Sequence, residues 1–435
     1  MKKHKIALIQ PPSPFLTNQK VFPNIGLVRV GTKLRQDGHD VKIYDFNGKD
    51  QNQVESEIKN ISHQYDLYGF SATTPQFPYA YKSLEYLKNA NPTARTVIGG
   101  PHATALYHQK QRDDIDYNVS DLEVFDTIFA GEGESPEKIF ETGWQKAPLI
   151  KNIDETPIPD RSMIDIESYK YGGLEGKTTT MQSQRGCPGQ CTFCSGREIE
   201  MYKKVRQHSP ERVVKELDQL NKEYGYNSFM VYDDEVNINT SRLEELCDRL
   251  SKRDYKFRGF IRSDQLVKHP ESIDWLKKAG FVKLCAGVES GSEKMLKNIG
   301  KQTTPEMNSE ARKIVGDAGI HYESFMIVGH PGETSEDIIK TYNWIKENKP
   351  DDFDVNVCTP YPGSKMYDRA VPSEEFENYN WEFNGAFFNK PRYSEEDSFY
   401  KGKDAQSHSG IRTKTITNRN LKRIRDMIEG VLKKK

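Results

Sequence analysis

A chain of 435 residues is too long for one ordinary core and divides into two or three domains. Its 63 basic and 64 acidic residues nearly cancel, which removes the electrostatic case for nucleic acid as an obligatory partner. No apolar run reaches membrane-spanning length, and the Met-Lys-Lys-His start lacks a signal peptide's apolar region, so no membrane association is expected.

In chain order, 5–9 is a short apolar run closed by Pro11-Pro12 and reads as a buried strand. Residues 26–36 have helical spacing, and 41–44 supply a second strand. Residues 66–71, 96–98 and 127–130 read as three more, with a helix over 78–89. This alternation predicts a doubly wound, Rossmann-like parallel sheet over 1–140, with ligands at the carboxyl ends of its strands. The loops there are small or glycine-rich: Ser71-Ala-Thr-Thr74, Gly99-Gly100 and Gly131–Glu134. Small residues let a large flat ligand approach the backbone. His39 reads as a turn residue, and His102 is expected to bond the loop backbone. Pro148, Pro157 and Pro159 hold the residues before them extended, and 141–177 reads as a linker.

Residues 178–183 then deliver a loop carrying Cys187, Cys191 and Cys194 in the spacing C-x-x-x-C-x-x-C. Thiolates are soft, charged ligands, and three so close together suit an iron–sulfur cluster or a zinc ion. A structural zinc normally takes four protein ligands, here completed by a distant residue such as His208. Three thiolates on a four-iron cluster instead leave one iron open. The other three cysteines, Cys247, Cys285 and Cys358, fall in helical or strand patterns as ordinary buried thiols. No disulfide framework emerges, and a reducing cytoplasm is the expected setting.

Strands are expected over 228–232, 256–262, 282–288, 321–328 and 354–359, separated by helices over 242–253, 271–279, 304–318 and 336–347. Ser209-Pro opens a further helix with an N-cap and a first-position proline. Six strand–helix units exceed a crossover motif and fall short of an eight-fold barrel, so 178–370 reads as a partial barrel. Its chemistry belongs at the strand ends. These are Tyr232-Asp-Asp-Glu235, Arg262-Ser-Asp264, Gly287-Val-Glu-Ser-Gly-Ser292, Val328-Gly-His-Pro-Gly-Glu-Thr334 and Thr359-Pro-Tyr-Pro-Gly-Ser364. A zinc-hydrolase role for Asp233, Asp234 and Glu235 fails for want of histidines. The tail, 371–435, holds aromatics among polar residues (Phe376, Tyr379, Trp381, Phe383, Phe387, Phe388, Tyr393, Phe399, Tyr400), expected to cap or pack on the barrel. A helix from Thr417 follows, with Leu421, Ile424, Ile428 and Val431 on one face and a solvated basic face opposite.

The cysteine spacing, with Phe193 before the third cysteine, resembles the radical S-adenosylmethionine (SAM) superfamily, and the Asp-Asp-Glu, Glu-Ser-Gly-Ser and His-Pro-Gly-Glu-Thr loops match its pattern. The first domain resembles the cobalamin-binding domain that precedes many such enzymes. The resemblance covers about nine-tenths of the chain. It implies a four-iron four-sulfur cluster on Cys187, Cys191 and Cys194, with SAM on the open iron. Glu289 and Ser290 would meet the amino group or ribose of SAM, Arg262 its carboxylate as a bidentate donor, and Phe193 and Gly329 its adenine. Asp233 and Asp234 would bind ribose, substrate or an axial water near cobalt, or else cap the following helix. Ser71 and Thr73 stand at the family's S-x-[LT] position, and Gly99-Gly100 border the nucleotide tail of cobalamin.

One departure matters. The family's D-x-H-x-x-G loop is absent, because that position reads Gln10-Pro-Pro-Ser-Pro-Phe15. The implied activity is methylation of an unactivated carbon through a 5′-deoxyadenosyl radical. The alternatives are a ring closure, rearrangement or oxidation with the same cofactors. A methylthiotransferase fits less well, since the first domain lacks cysteines and the tail shows no obvious RNA-binding β-domain; a non-catalytic cobalamin or metal sensor is the remaining class. The expected partners are a small-molecule, peptide or nucleoside substrate and an electron donor such as flavodoxin or ferredoxin.

Overall fold

The computed structural model describes residues 2–112, 119–390, 392, 394 and 410–433. The chain forms two compact units, Met1–Lys170 with Pro391–His408, and Tyr171–Lys390 with Ser409–Lys435. Among the described residues no helix is long and apolar enough to cross a membrane.

The first unit is built on β1 (Lys5–Gln10), β2 (Asp40–Asp45), β3 (Leu67–Ser71), β4 (Thr96–Gly99), β5 (Thr127–Ala130) and β6 (Gly143–Lys146). Neighbours are parallel throughout, in the order β2-β1-β3-β4-β5-β6. Ile6, Ala7, Leu8 and Ile9 are buried without alternation, as a parallel strand covered on both faces requires. The helices are α1 (Ile25–Gln36), α2 (Gln51–Ile61), α3 (Phe77–Ala90) and α4 (Pro101–Lys110). Asn24 caps α1 by accepting from Leu27 N–H, and Asp50 with Gln53 closes a capping box on α2.

Helices α2 and α4 escaped the sequence reading. α2 opens on Gln-Asn-Gln, and α4 buries His102, Ala103, Thr104, Ala105, Leu106 and Gln109 without a clean apolar stripe. The expected linker, as far as Lys170, is likewise part of this unit. β6 adds a sheet edge, Met163 enters the core formed by α1, β1 and β2, and Tyr169 donates to Asp45 Oδ2 (2.7 Å). Proline punctuation marked an irregular path, and side-chain burial decided where that path lies.

The second unit begins with β7 (Thr178–Met181). β8 (Gln184–Arg185) follows and pairs antiparallel with β9 (Arg206–Gln207), the short helix α5 (Glu200–Lys203) lying between them. Then come α6 (Pro210–Tyr224), β10 (Ser228–Val231), α7 (Thr240–Leu250), β11 (Lys256–Ile261), α8 (Ser263–Lys268) and α9 (Ser272–Ala279). The series continues with β12 (Phe281–Glu289), α10 (Glu293–Asn298), α11 (Pro305–Asp317), β13 (His321–Val328), α12 (Ser335–Asn348), β14 (Asp352–Val357) and α13 (Lys365–Asp368). The sheet order is β14-β13-β12-β11-β10-β7, parallel at every step. This is the six-stranded partial barrel expected, with β7 and β14 as its edges.

The extension differs from expectation. The aromatic stretch forms an antiparallel meander of β15 (Val371–Phe376), β16 (Tyr379–Phe383), β17 (Ala386–Phe388) and β18 (Ile411–Thr413), followed by helix α14 (Asn418–Leu432). Phe376 meets Phe387 edge-on at 4.7 Å, and Arg412 lies 3.5 Å over the Phe376 ring. Tyr393, Phe399 and Tyr400 lie outside the described residues. A short-strand sheet of this kind depends on cross-strand pairs, which a tail rich in Asn, Glu and Ser conceals. α14 buries Leu421 and Ile428, but Val431 is exposed. Its Glu429 accepts from Val355 N–H, which ties the helix to β14.

Candidate active site

In the first unit the carboxyl ends of β3 and β4 form one cradle. Gly100 has φ +91, and a Cβ there would lie 2.9 Å from Ser71 Oγ and 3.0 Å from the Ala72 backbone. Only glycine lets the two loops approach so closely. Ala72 N–H donates to Gly99 O and His102 N–H to Ala72 O. Ser71, Gly99 and Gly100 stay half-buried and Thr73 exposed, so backbone and hydroxyls remain reachable. These residues fit a large, uncharged, flat ligand held by shape and hydrogen bonds.

His102 departs from expectation. Its imidazole is fully buried against Phe77 (4.5 Å) and bonds the Thr74 hydroxyl through Nδ1 (3.1 Å), rather than the loop backbone. Burial holds its pKa down at about 3. The loop after β1 closes on amides and hydroxyls: Asn24 Nδ2 donates to Gln10 Oε1, and Gln76 Nε2 to Ser13 Oγ. His39 sits in the turn into β2, where Nδ1 accepts from His4 N–H.

In the second unit β7 leads into the cysteine loop, and Asp233 holds the crossing. The N–H groups of Ser183 and Gln184 both donate to Asp233 Oδ1 (2.6 and 2.8 Å), and the Ser183 hydroxyl donates to Oδ2. Burial raises its carboxyl to about 6, with Ser183 and Arg242 pulling the other way. Asp233 is therefore neither a helix cap nor an open ligand; it fixes where the loop begins. Asp234 is half exposed on its side chain and faces Arg197 at 3.9 Å.

The three cysteines are gathered by the loop itself and by its neighbours. Cys194 N–H donates to Cys191 O, Thr192 N–H to Ile299 O, and Cys187 N–H to Tyr202 O. Burial pushes the Cys187 thiol up to about 12, the Cys194 thiol to about 11, and Cys191 in the same direction. Opposing that rise are Arg197 at Cys187 and Cys194, and Lys301 with Arg262 at Cys191. A ring of fixed cations around three thiols suits a group that arrives with several thiolate charges. Among the described residues no three His, Cys, Asp or Glu side chains are gathered closely enough for a single ion.

The remaining charges are mutually engaged. Cys187 Sγ donates to Glu235 Oε2 (3.3 Å), and Glu235 Oε1 lies 3.8 Å from Arg262 Nη1. The Arg262 fork is already taken by Asp264, at 2.8 and 3.1 Å. The expected bidentate grip on a SAM carboxylate therefore has no free fork, and only Nη1 faces the loop. Glu289 does stand at the site, with φ +64 and its Oε1 3.1 Å from Lys301 Nζ. A glutamate in the left-handed region carries roughly 1–3 kcal/mol of strain. Room for its side chain comes from Gly287, where a Cβ would lie 2.3 Å from Glu289 Oε1. Burial lowers the Lys301 pKa, but Glu289, Cys191 and Glu235 outweigh it and leave the lysine above its ordinary range.

Ser290 is fully buried and bonds the Thr341 hydroxyl (3.1 Å) and Ser292 N–H, tying the loop to α12. Phe193 is half-buried, its ring 5.3 Å from the buried His330. Gly329 donates its N–H to Glu333 Oε2 and sits against Leu421 of α14. Sequence reasoning missed Arg197, Glu235 as a thiol partner, Lys301 and the spacer Gly287. Only Glu235 carried a local signal, as the third member of Asp-Asp-Glu.

A parallel sheet with a small-residue carboxyl edge, followed by an open parallel barrel presenting three cysteines, defines a radical SAM enzyme with a preceding corrinoid-type domain. Residues 181–345 match the Radical SAM superfamily and residues 16–137 the B12 binding domain, and the chain belongs to the radical SAM enzymes that carry this domain. It is 29% identical over 409 residues to an uncharacterized methyltransferase, PH0819, of Pyrococcus horikoshii, covering 88% of this chain and 86% of that protein. It is 27% identical to the anaerobic magnesium-protoporphyrin IX monomethyl ester cyclase of Rubrivivax gelatinosus, over 77% of this chain and 64% of the cyclase. The fold resembles TsrM of Kitasatospora setae, a radical SAM methyltransferase solved with cobalamin and a [4Fe-4S] cluster. That match has TM-score 0.62 and 16% identity, and covers 84% of this chain and 74% of that one.

Proposed function

We propose that this chain is a cobalamin-dependent radical SAM methyltransferase acting on an unactivated carbon, with a four-iron four-sulfur cluster on Cys187, Cys191 and Cys194. The observation that carries this reading is the three-thiol loop at the end of β7, ringed by Arg197, Arg262 and Lys301. When bound, these groups supply one-electron cleavage of SAM to a 5′-deoxyadenosyl radical, hydrogen abstraction from the substrate, and a transferable methyl group.

The protein's part is placement. Asp233 and the backbone bonds to Tyr202 and Ile299 set the cysteine loop. Glu289, held by Lys301, presents a carboxylate where a SAM ammonium or ribose is recognised. Phe193 offers a half-exposed ring to a flat base. Ser71, Thr73, Gly99 and Gly100 cradle cobalamin, and no imidazole from the β1 loop would ligate cobalt. The absence of that histidine and the burial of His102 support cobalamin held by shape rather than by an axial side chain.

The test is anaerobic reconstitution with iron, sulfide and cobalamin, followed by SAM and dithionite. The expected products are 5′-deoxyadenosine and, with substrate, a mass gain of one methylene carrying label from methyl-labelled SAM. A second reading, ring closure without methyl transfer, is favoured by the likeness to the cyclase; full turnover with no methylene gained selects it. Retention of no cobalamin would remove the methyltransferase reading and leave SAM cleavage standing.

A further inference from the structure

The three cations around the cysteine loop differ in how much charge they have left to offer. Arg262 is held by both oxygens of Asp264, at 2.8 and 3.1 Å, with Glu235 a further carboxylate at 3.8 Å. Lys301 Nζ is in contact with Glu289 Oε1 at 3.1 Å. An opposite charge in contact cancels most of the field that a cation sends further out. Arg197 is placed differently. The carboxylate that faces it, Asp234, stands 3.9 Å away, beyond hydrogen-bonding distance. The Asp234 side chain is 46% exposed against 5% for Arg197, so water screens the anion far more than the guanidinium.

The turn after the third cysteine aims Arg197 back at the loop. Gly196 has φ +91, and a Cβ there would lie 2.6 Å from Tyr202 Cδ2, so glycine is required between Cys194 and Arg197. Gly196 N–H donates to Gly363 O and Arg197 N–H to Cys194 O. The side chain then returns to the first cysteine, where Nη1 donates to Cys187 O at 2.6 Å. Nε is buried with no acceptor among the described residues. Burial alone would lower the pKa of Arg197, but Cys194, Asp234, Cys187 and Glu235 together hold it above its ordinary range. Joining Cys194 to Cys187 needs only hydrogen bonds, whereas guanidinium adds a permanent charge at a dry position. Such a charge favours whichever redox state of a neighbouring group carries the extra negative charge.

We propose that Arg197 sets the reduction potential of the group held by Cys187, Cys191 and Cys194, raising it so that one electron enters more readily, and that Asp234 trims this effect as the opposing charge. The inference rests on the four-iron cluster assigned above. Uptake adds one electron from an external low-potential reductant, which is oxidised by one, and no bond of the protein forms or breaks. Arg262 and Lys301, each in contact with a carboxylate, contribute less.

The experiment titrates the reconstituted full-length enzyme with dithionite through redox mediators, without SAM, and reads the reduced cluster by electron paramagnetic resonance. Iron and sulfide content are measured alongside. Arg197→Met removes the charge, Arg197→Lys keeps it but loses the fork, and Asp234→Asn removes the opposing charge at a half-exposed position. Arg197→Met should lower the one-electron equilibrium constant at least about tenfold, a potential lower by ~59 mV. Arg197→Lys should stay within about twofold of the wild type, and Asp234→Asn should move the constant the other way by about threefold.

Equal shifts in the Met and Lys variants would make the hydrogen bond to Cys187 the cause and overturn the proposal. So would an unchanged potential in Arg197→Met, or a downward shift in Asp234→Asn. Should Arg197→Met take up no cluster, the other two variants decide: an upward shift in Asp234→Asn with none in Arg197→Lys sustains the proposal, and any other pair of results overturns it. A wild type that gives no four-iron signal after reconstitution overturns the cluster reading and this proposal together, whereas a normal cluster with unmoved potentials overturns this proposal alone.

Discussion

The two units solve the same architectural problem with opposite chemistry. Both are parallel sheets whose carboxyl ends carry the site. In the first unit those ends are small and neutral: Ser71, Thr73, Gly99 and Gly100, with the nearest imidazole, His102, buried and uncharged. In the second they are crowded with buried charge, Glu235, Arg262, Glu289 and Lys301 each meeting a partner of opposite sign. The difference follows from the ligands each unit suits. A flat corrinoid is recognised by shape and backbone contact, so glycine matters most. Three thiolates bring negative charge into a dry site, and that charge is tolerable only where cations are already placed.

The sharpest test is whether the two sites fail independently. Cys191→Ala should abolish cluster retention and reduce SAM cleavage by more than about a thousandfold, while cobalamin retention, read by absorbance, is unchanged. Loss of both cofactors together would break the comparison.

Next in size is Asp233→Ala, which strands the N–H groups of Ser183 and Gln184 in a buried site. It should cost about 3 kcal/mol by denaturant melt and lower iron content at the same time. An iron-replete, stable variant would show that the loop is set elsewhere.

A pH effect comes third. Glu333 is 1% exposed, and burial raises its carboxyl to about 8. Between roughly pH 4.5 and 8 the folded chain keeps a proton that the unfolded chain has lost, so this group's contribution to stability is greatest below that window and falls as pH rises through it. From pH 6 to 8 the stability of Glu333→Gln should fall less steeply than that of the wild type, the difference reaching about 2 kcal/mol. Parallel curves would mean that the carboxyl titrates normally.

The smallest effect is expected in the first unit. Gly100→Ala introduces a Cβ at positive φ and against Ser71, costing about 1–2 kcal/mol and weakening cobalamin retention, with iron content and 5′-deoxyadenosine yield unchanged. A variant that retains cobalamin normally would move the corrinoid away from this cradle.

Much of the fold was legible because it is local. Ser209-Pro at the start of α6, the apolar run of β1 and the hydrophobic strands of the barrel announce themselves within a few residues. The meander from β15 to β18 was not, since its stability lies in pairs such as Trp381 opposite Phe388 that only register reveals. The packing of the linker was hidden for the same reason: nothing near Met163 in sequence shows that it packs under α1 and β2.

The sequence by itself determined where three thiols gather, because three cysteines within eight residues stay together whatever the rest of the chain does. Only the tertiary structure decided which charged residues remain available. Arg262 is spent on Asp264, Asp233 on the Ser183–Gln184 backbone, and Ser290 on Thr341. Lys301, without any motif, reaches both Glu289 and the field of Cys191. A ligand's spacing is a property of the chain, whereas a side chain's free hydrogen-bonding capacity is a property of what folds against it.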